Sequence, residues 1–248
     1  MAERIYTACV LIIGNEILSG RTQDANLNHM ATVLGEAGVR VREARVIPDV
    51  EDVIIDTVNE VRAAFDYVLT TGGIGPTHDD ITADCIAKAF GVPLVMSEEI
   101  AVRIRGRPAP PEVMASRLLM ARVPEGATLI DNPTGGPQGF QMGNVYVMAG
   151  IPSVMRAMLS TIVFEGGAVV RSRSVAAYLG ESQVATGLTA IQDEHPMIDI
   201  GSYPFMRADR YGTTLVLRGT DEAELDAVLA EVRQLIVDAG GTPELVAE

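Results

Sequence analysis

Short apolar runs alternate with amphipathic segments over the first 165 residues, and this alternation leaves few possible folds. Residues 7–13 form a continuous apolar run, as expected of a strand covered on both faces. Residues 22–37 repeat apolar side chains at helical spacing. The alternation continues through a strand at 39–47, a helix at 50–64, a strand at 66–71 and a helix at 79–90. This order predicts an α/β fold, a three-layer sandwich around a mostly parallel sheet.

A pair of glycines, Gly166 and Gly167, ends the alternation and predicts a linker. Beyond it the pattern changes to the order β-α-β-β-α, which is typical of a small α+β unit. We therefore predict two domains, a larger one over residues 1–166 and a smaller one over residues 170–248.

Composition restricts the partners of the chain. The formal net charge of −14 repels phosphate backbones and anionic lipids, so we expect no nucleic acid and no membrane as partner. The sequence shows no secretory signal and no long uncharged apolar run, which predicts a cytoplasmic protein. Cys9 and Cys85 lie in apolar contexts, which predicts two buried, reduced thiols.

A glycine-rich loop follows the third predicted strand. Residues 71–80 read Thr-Gly-Gly-Ile-Gly-Pro-Thr-His-Asp-Asp. Gly72, Gly73 and Gly75 can adopt positive φ and carry no Cβ, so consecutive backbone N–H groups can form an anion-binding nest. The N-terminus of the next helix adds further N–H donors. The loop therefore predicts a binding site for a phosphorylated small molecule.

Acidic side chains accompany this loop. Asp79 and Asp80 repel a phosphate unless a divalent cation lies between them, so Asp80 is predicted to contact a metal or to act in catalysis. Asp79 is either catalytic or a helix cap. Glu16 follows the first strand, at the edge where ligands bind in parallel sheets, and is either a metal ligand or an exposed loop acid. Asn26, near the first helix, is either a binding residue or a cap.

Two common catalytic signatures are missing from the sequence. It contains no Gly-x-x-x-x-Gly-Lys-[Ser/Thr] and no Gly-x-Ser-x-Gly, which excludes a P-loop enzyme and a serine hydrolase with a nucleophile elbow. His29 and His195 have no suitably spaced partners, and His78 is interpreted as a loop hydrogen-bonder, so none is a predicted metal ligand.

Several separated motifs coincide, the most specific being Thr-Gly-Gly-Ile-Gly-Pro-Thr-His-Asp-Asp-Ile-Thr at residues 71–82. With them, residues 5–165 resemble the MoaB/Mog molybdopterin-binding family, in the branch found in CinA (competence/damage-inducible protein A). They are also similar to the molybdopterin-binding-type domain of eukaryotic FAD synthases. Residues 170–240 resemble the small KH-type domain of CinA. The other matching stretches are residues 14–20, 22–26, 123–127, 132–135, 139–140 and 150–152.

The resemblance implies a fold, a site and a reaction. The family fold is a parallel α/β sandwich, the loop at residues 71–82 binds the pterin or nucleotide phosphate, and the aspartate matching Asp80 takes part in metal-dependent chemistry. CinA-type domains are associated with ADP-ribose pyrophosphatase activity, and the FAD-synthase-linked domains with FAD hydrolysis. The implied substrate-binding residues are Thr71, Gly72, Gly73, Gly75, Thr82, Asn26, Asn132 and Gly150.

The same resemblance implies a divalent metal ion, with molybdopterin as a further candidate ligand, and self-association into a homo-oligomer. Two departures weaken it. Asn15 stands where the family usually has an aspartate, and Val154 stands where CinA commonly has a glutamate. The sequence also lacks the C-terminal deamidase domain of CinA and a FAD synthase domain, so we do not expect deamidation of nicotinamide mononucleotide.

Three functions remain open on the sequence. The first is metal-dependent hydrolysis of a nucleotide pyrophosphate such as ADP-ribose or FAD. The second is a binding module without turnover, which Asn15 and Val154 favour. The third is RNA binding by the KH-type segment, which the acidic charge and the missing Gly-x-x-Gly clamp disfavour.

Overall fold

A computed structural model of the chain describes residues 4–207 and 209–246, which divide into two compact units, one up to Gly167 and one from Ala168. The outer ends of the predicted domains, residues 1–3 and 247–248, lie outside the described residues. No helix within these ranges is long and apolar enough to cross a bilayer.

The helices and strands of the first unit, in chain order, are β1 (Tyr6–Ile13), α1 (Asn15–Leu18), α2 (Leu27–Glu36), β2 (Val39–Ile47), α3 (Glu51–Ala64), β3 (Tyr67–Thr71), α4 (Thr82–Phe90), β4 (Leu94–Met96), α5 (Glu98–Arg105), α6 (Pro111–Leu118), a 3-10 turn (Leu119–Ala121), β5 (Arg122–Pro124), β6 (Thr128–Ile130), β7 (Gly139–Met142), β8 (Val145–Met148) and α7 (Pro152–Leu159). Those of the second unit are β9 (Arg171–Ala177), α8 (Glu181–Glu194), β10 (Asp199–Arg207), β11 (Arg210–Gly219), α9 (Glu222–Asp238) and β12 (Glu244–Leu245).

A six-stranded sheet in the order β2-β1-β3-β8-β7-β6 forms the centre of the first unit. The pairs β1–β2, β1–β3 and β3–β8 are parallel, whereas β7 runs antiparallel to both β8 and β6. The predicted α/β fold with a mostly parallel sheet is therefore confirmed. Its parallel strands end at one edge, and that edge carries the glycine-rich loop.

Both faces of this sheet are covered, because alternate residues of β1 point into different cores. Cys9 and Leu11 pack with side chains of α3, α4 and α5, while Val10 and Ile12 pack with side chains of α2 and α7. Full burial of one such aliphatic side chain contributes roughly 1.5–3 kcal/mol. Cys9 and Cys85 are both buried and free, as predicted, and burial raises the pKa of these thiols to about 11 and about 12.

Two helices begin later than the sequence predicts. The first begins at Leu27 and not at residue 22, because the Asp24 carboxylate accepts the N–H groups of Asn26 and Leu27 at 3.2 and 2.9 Å and so caps the helix from upstream. The helix after the glycine-rich loop begins at Thr82 and not at residue 79. A helix cap by Asp79 is wrong, because residues 77–80 form a turn and no side chain caps this helix.

The second unit contains a four-stranded antiparallel sheet in the order β10-β11-β9-β12. One face of it packs against α8 and α9, with Val175, Leu215 and Leu217 meeting Val228 and Val232 in a separate core. The predicted order β-α-β-β-α is confirmed. The short strand β12 adds a fourth member beside β9.

Asp66 joins the beginnings of β1 and β3. Its carboxylate accepts hydrogen bonds from the Thr7 N–H at 2.8 Å, the Thr7 hydroxyl at 3.0 Å and the Arg4 guanidinium at 2.8 Å. The Thr7 N–H and then Arg4 lower the pKa of this carboxyl below its usual 3.8. We expect Asp66→Asn to lower the free energy of unfolding by about 1–2 kcal/mol at pH 7, measured by urea titration, because charged acceptors form stronger hydrogen bonds.

Because the pKa of the Asp66 carboxyl is lowered, the stabilisation that it provides depends on pH. The contribution of Asp66 is present above its unfolded pKa and is lost as the pH falls through the lower folded pKa. The difference between the wild type and Asp66→Asn should therefore shrink below about pH 4. The exposed Asp56 on α3 supplies a matched control, Asp56→Asn, with little effect. An equal difference at neutral and acidic pH would contradict the assignment.

Candidate functional site

A cavity of about 720 Å³ opens at the carboxyl edge of the parallel strands. This volume lies in the range of sites for ligands of nucleotide size, roughly 300–1,000 Å³. Segments that follow β1, β3 and β8 all reach it. The structure thus brings most of the predicted site residues into one lining, namely Glu16, Gly72, Gly73, Gly75, Asp80, Asn132 and Gly150.

The backbone of the glycine-rich loop forms one wall of the cavity. Gly72 and Gly73 have φ of +102° and +66°, and a Cβ on them would collide with the Ile13 carbonyl oxygen and the Thr82 hydroxyl respectively. The Gly72 N–H already donates to the Met148 carbonyl at 3.3 Å. Within the described residues, the N–H groups of Gly73, Ile74 and Gly75 donate to no protein acceptor, so these three are the donors offered to an anion.

Asp80 is fixed by the turn that ends the loop. Its Oδ2 accepts the Thr77 N–H at 2.9 Å and the Thr77 hydroxyl. The carboxylate lies against Gly75, where an added Cβ would be 2.5 Å from Oδ2 and 2.9 Å from Oδ1. Asp80 is half-buried and lines the cavity, whereas Asp79 is exposed and absent from its lining. The structure therefore places only Asp80 in the cavity lining, although Asp79 is its neighbour in sequence.

A second pair of acids lies near α1, with Glu16 in the cavity lining and Asp49 outside it. Glu16 is exposed on α1 and lines the cavity, and Asp49, at the end of β2, accepts the Asn15 N–H at 2.8 Å. Partial burial raises the pKa of the Asp49 carboxyl, and the negative charges of Glu16 and Asp79 raise it further. Repulsion of this kind among carboxylates favours cation binding nearby. The sequence reasoning missed Asp49, because its contact with Asn15 joins segments 34 residues apart.

Thr71 and Asn26 line a smaller pocket of about 70 Å³ that shares Glu16, Gly72 and Gly150 with the main cavity. Asn26 is buried, and its Nδ2 donates to the Gly150 carbonyl at 2.9 Å. Its Oδ1 has no partner within the described residues. A buried acceptor without a partner is costly, so this oxygen is available for a ligand donor or a water molecule.

Thr82 and Asn132 support the loops around the cavity. Thr82 is buried behind Gly73, and its hydroxyl has no hydrogen-bond partner in the described part of the chain. Asn132 donates through Nδ2 to the Pro137 carbonyl at 2.8 Å and accepts the Thr134 N–H and hydroxyl at 3.1 and 2.7 Å. It therefore fixes the loop over residues 132–137, which forms another part of the lining.

Arg107 supplies a positive charge at the cavity that the sequence reasoning did not single out. It lines the same cavity as Asp80 and Glu16, and its Nη2 donates to the Gly135 carbonyl at 2.9 Å. In the sequence it lies in a stretch rich in Pro and Gly between two helices, where no periodic pattern distinguishes it from other exposed arginines. Arg107 belongs to the site because it contacts the loop over residues 132–137, which also lines the cavity.

The acids of the cavity fit a hard divalent cation. Asp80 and Glu16 offer carboxylate oxygens to one space, and Mg²⁺ commonly takes one or two carboxylates and completes its coordination with phosphate oxygens and water. They do not form a complete protein cage. Among residues 4–207 and 209–246, three potential ligand side chains approach within 4.8 Å only at Glu194, His195 and Glu231, in the second unit. A cation at Asp80 would therefore need the ligand's own oxygens.

Comparisons with known proteins show which families this chain resembles. A family model described as "Probable molybdopterin binding domain" (MoCF_biosynth) matches residues 9–166, and one described as "FAD synthase, middle domain" matches residues 169–240. A protein of Archaeoglobus fulgidus is 32% identical over 232 residues, covering 92% of this chain and 97% of that protein. A CinA-like protein of Citrifermentans bemidjiense is 38% identical over 165 residues, covering 62% of this chain and 39% of that relative.

A solved structure extends the comparison to the fold. The crystal structure of the protein CinA with unknown function from Thermoplasma acidophilum superposes with a TM-score of 0.57 and 32% sequence identity. It covers 63% of this chain and 95% of that one. The resemblance read from the motifs is confirmed. On these matches the chain belongs to the MoCF_biosynth family of molybdopterin-binding-type domains and has CinA-like relatives.

Proposed function

We propose that the first unit is a metal-dependent hydrolase of a nucleotide pyrophosphate such as ADP-ribose or FAD. One observation carries the proposal: free amides of the glycine-rich loop and the carboxylates of Asp80 and Glu16 line the same cavity of about 720 Å³. Amides alone would suit a simple anion site. Carboxylates in the same cavity oppose an anion unless a cation is also bound, and this combination suits pyrophosphate chemistry.

The loop amides would hold the phosphate charge. Hydrolysis adds a water oxygen to one phosphorus and breaks the bond from that phosphorus to the bridging oxygen. The N–H groups of Gly73, Ile74 and Gly75 donate to no protein acceptor within the described residues, so they can stabilise the charge on the phosphate oxygens. Arg107 lines the same cavity and can neutralise a further part of that charge.

Asp80 and Glu16 would hold the divalent cation, whose chemistry when bound is to polarise the phosphate and to lower the pKa of water. The Thr77 N–H and hydroxyl fix Oδ2 of Asp80 and so limit the rotation of its carboxylate. Glu16 is exposed and can adjust to the ligand. Asp79 lies outside the lining, so a catalytic role for it would act through its charge near Asp49.

The remaining lining suits a flat ring. Ile74, Ile151, Val154 and Met158 present apolar side chains to the cavity, and Asn26 Oδ1 is a buried acceptor in the adjoining pocket. Ligand sites commonly combine an apolar wall with a few fixed polar groups. A purine or a pterin ring has this character, so molybdopterin stays a candidate ligand beside the nucleotides.

The alternative is a binding module without turnover. Val154 lines the cavity where CinA commonly carries a glutamate, and the apolar side chain removes a possible acid from the reacting centre. Asn15 removes a second one at α1. Such a module would bind the same phosphorylated ligand through the loop amides and release it unchanged.

One assay separates the two functions. The purified full chain is incubated with ADP-ribose or FAD and with Mg²⁺, Mn²⁺ or Zn²⁺ in turn, and AMP is measured by chromatography. The hydrolase releases AMP with ribose 5-phosphate or with FMN, and EDTA stops the release. Calorimetric binding without any AMP, with or without a metal, would contradict the hydrolase and leave the binding module.

The second unit and the assembly are separate questions. The KH-type interpretation of residues 170–240 stays a prediction, and the antiparallel sheet with two helices is compatible with several small α+β folds. We also propose that the chain forms a homo-oligomer, as the family resemblance implies. Light scattering after gel filtration would measure its mass against 26.4 kDa for the monomer.

A further inference from the structure

A second cavity, of about 500 Å³, lies beside the first and has a basic lining. Three arginines contribute to it, Arg103 from α5, Arg107 from the segment after α5 and Arg117 from α6. No acidic residue belongs to its lining. In a chain with a net charge of −14, a concave surface of this composition is an exception, and the proposed reaction uses only Arg107 of its three arginines.

The three side chains are held in place by contacts that leave most of their donors free. Arg117 Nη1 donates to the Arg107 carbonyl at 3.2 Å, and Arg107 Nη2 donates to the Gly135 carbonyl at 2.9 Å. Arg103 is paired with Asp131 at 2.8 Å. Because a guanidinium has five N–H donors, Arg107 and Arg117 each retain several for a ligand. Anchored guanidinium groups lose little side-chain entropy on binding.

The charges of Arg107 and Arg117 are not neutralised by the protein. Neither forms an ion pair with a carboxylate in the described part of the chain, whereas Asp131 offsets much of the charge of Arg103. Arg117 is half-buried on α6, and Arg107 is exposed. Fixed, unpaired guanidinium groups in a concavity bind phosphate strongly, because their planar array of donors matches its oxygens.

This basic cavity adjoins the first one. Arg107, Met120, Gly136 and Pro137 line both of them. We infer that Arg107 and Arg117 form a subsite for a second phosphate group of a ligand whose first phosphate lies on the amides of the glycine-rich loop. The inference rests on the proposed nucleotide site, whose ligands ADP-ribose and FAD both carry two phosphate groups, and it names the residues that bind the second one.

Calorimetric titration of the full chain, without turnover, tests this subsite. The probes are AMP, with one phosphate, ADP, with two adjacent phosphates, and adenosine 3′,5′-bisphosphate, with two separate ones. In the wild type we expect at least one two-phosphate probe to bind about tenfold more tightly than AMP, as one charge-assisted contact would give. In Arg117→Gln this ratio should fall to about two or less, and Arg117→Lys should retain part of it.

Arg42→Gln is the matched control, because Arg42 is exposed on β2 and absent from both linings. It removes the same charge from the chain and should leave the ratio unchanged. Circular dichroism checks that each variant folds. The subsite is refuted if neither two-phosphate probe binds more tightly than AMP, or if the gain survives in Arg117→Gln. Since binding is measured, this result is independent of whether AMP is released from ADP-ribose or FAD.

Discussion

Replacing Gly72 with alanine is expected to lower the stability of the first unit by about 3 kcal/mol or more, because two penalties add. The φ of +102° is strained for any residue with a Cβ. The added methyl would also collide with the Ile13 carbonyl oxygen, which belongs to the neighbouring strand and cannot move without breaking the sheet. For a unit of this size we expect the melting temperature to fall by about 6–12 °C.

Alanine substitutions at two other glycines distinguish the backbone penalty from the steric penalty. Gly20→Ala places a methyl at a φ of +71° with open space around it, so only the backbone penalty of about 1–2 kcal/mol remains. Gly35→Ala fills an exposed position of α2 with no neighbour within 4 Å and should stabilise the unit by about 0.5–1 kcal/mol. Thermal unfolding followed by circular dichroism compares the three. A Gly72→Ala variant as stable as Gly20→Ala would show that the contact with Ile13 is not restrictive.

The parallel sheet was predictable because its signal is local. A strand buried on both faces must be apolar throughout, and residues 7–13 satisfy this, so β1 was assigned within one residue. The helix bounds were less predictable. Asp24 and Asp80 each bind backbone N–H groups nearby, and such side-chain contacts delay the start of a helix although the apolar periodicity has already begun.

The site was predictable in the glycine-rich loop and for the acids that follow strands, since Asp80 and Glu16 both line the cavity. Glycines after a strand indicate a loop with positive φ, and Gly72 and Gly73 have it. Arg107 and Asp49 could not be placed in the same way, because their roles depend on segments distant in sequence. Arg107 reaches the cavity through its contact with Gly135, 28 residues later, and Asp49 meets Asn15 across 34 residues. A single sequence carries no periodic signal for contacts of this kind.

Replacing Asp80 with asparagine is expected to lower the rate of AMP release by at least about 100-fold, because the substituted amide cannot supply the negative charge that the cation needs. Asparagine retains an oxygen that can accept the Thr77 N–H, so the turn over residues 77–80 should survive. The melting temperature should stay within about 2 °C of the wild type. Initial rates of AMP release over a series of Mg²⁺ concentrations provide the measurement.

Asp79→Asn is the control that distinguishes loss of a metal ligand from loss of a nearby negative charge. Asp79 is adjacent in sequence and equally acidic, but it is exposed and outside the cavity lining, so its removal should change the rate less than about fivefold. Glu16→Gln should chiefly raise the Mg²⁺ concentration needed for half the maximal rate, because Glu16 would be the more mobile of the two metal ligands. If Asp80→Asn and Asp79→Asn lowered the rate equally, the local field and not a specific ligand would explain the loss. If neither did, the reacting centre would lie elsewhere in the chain.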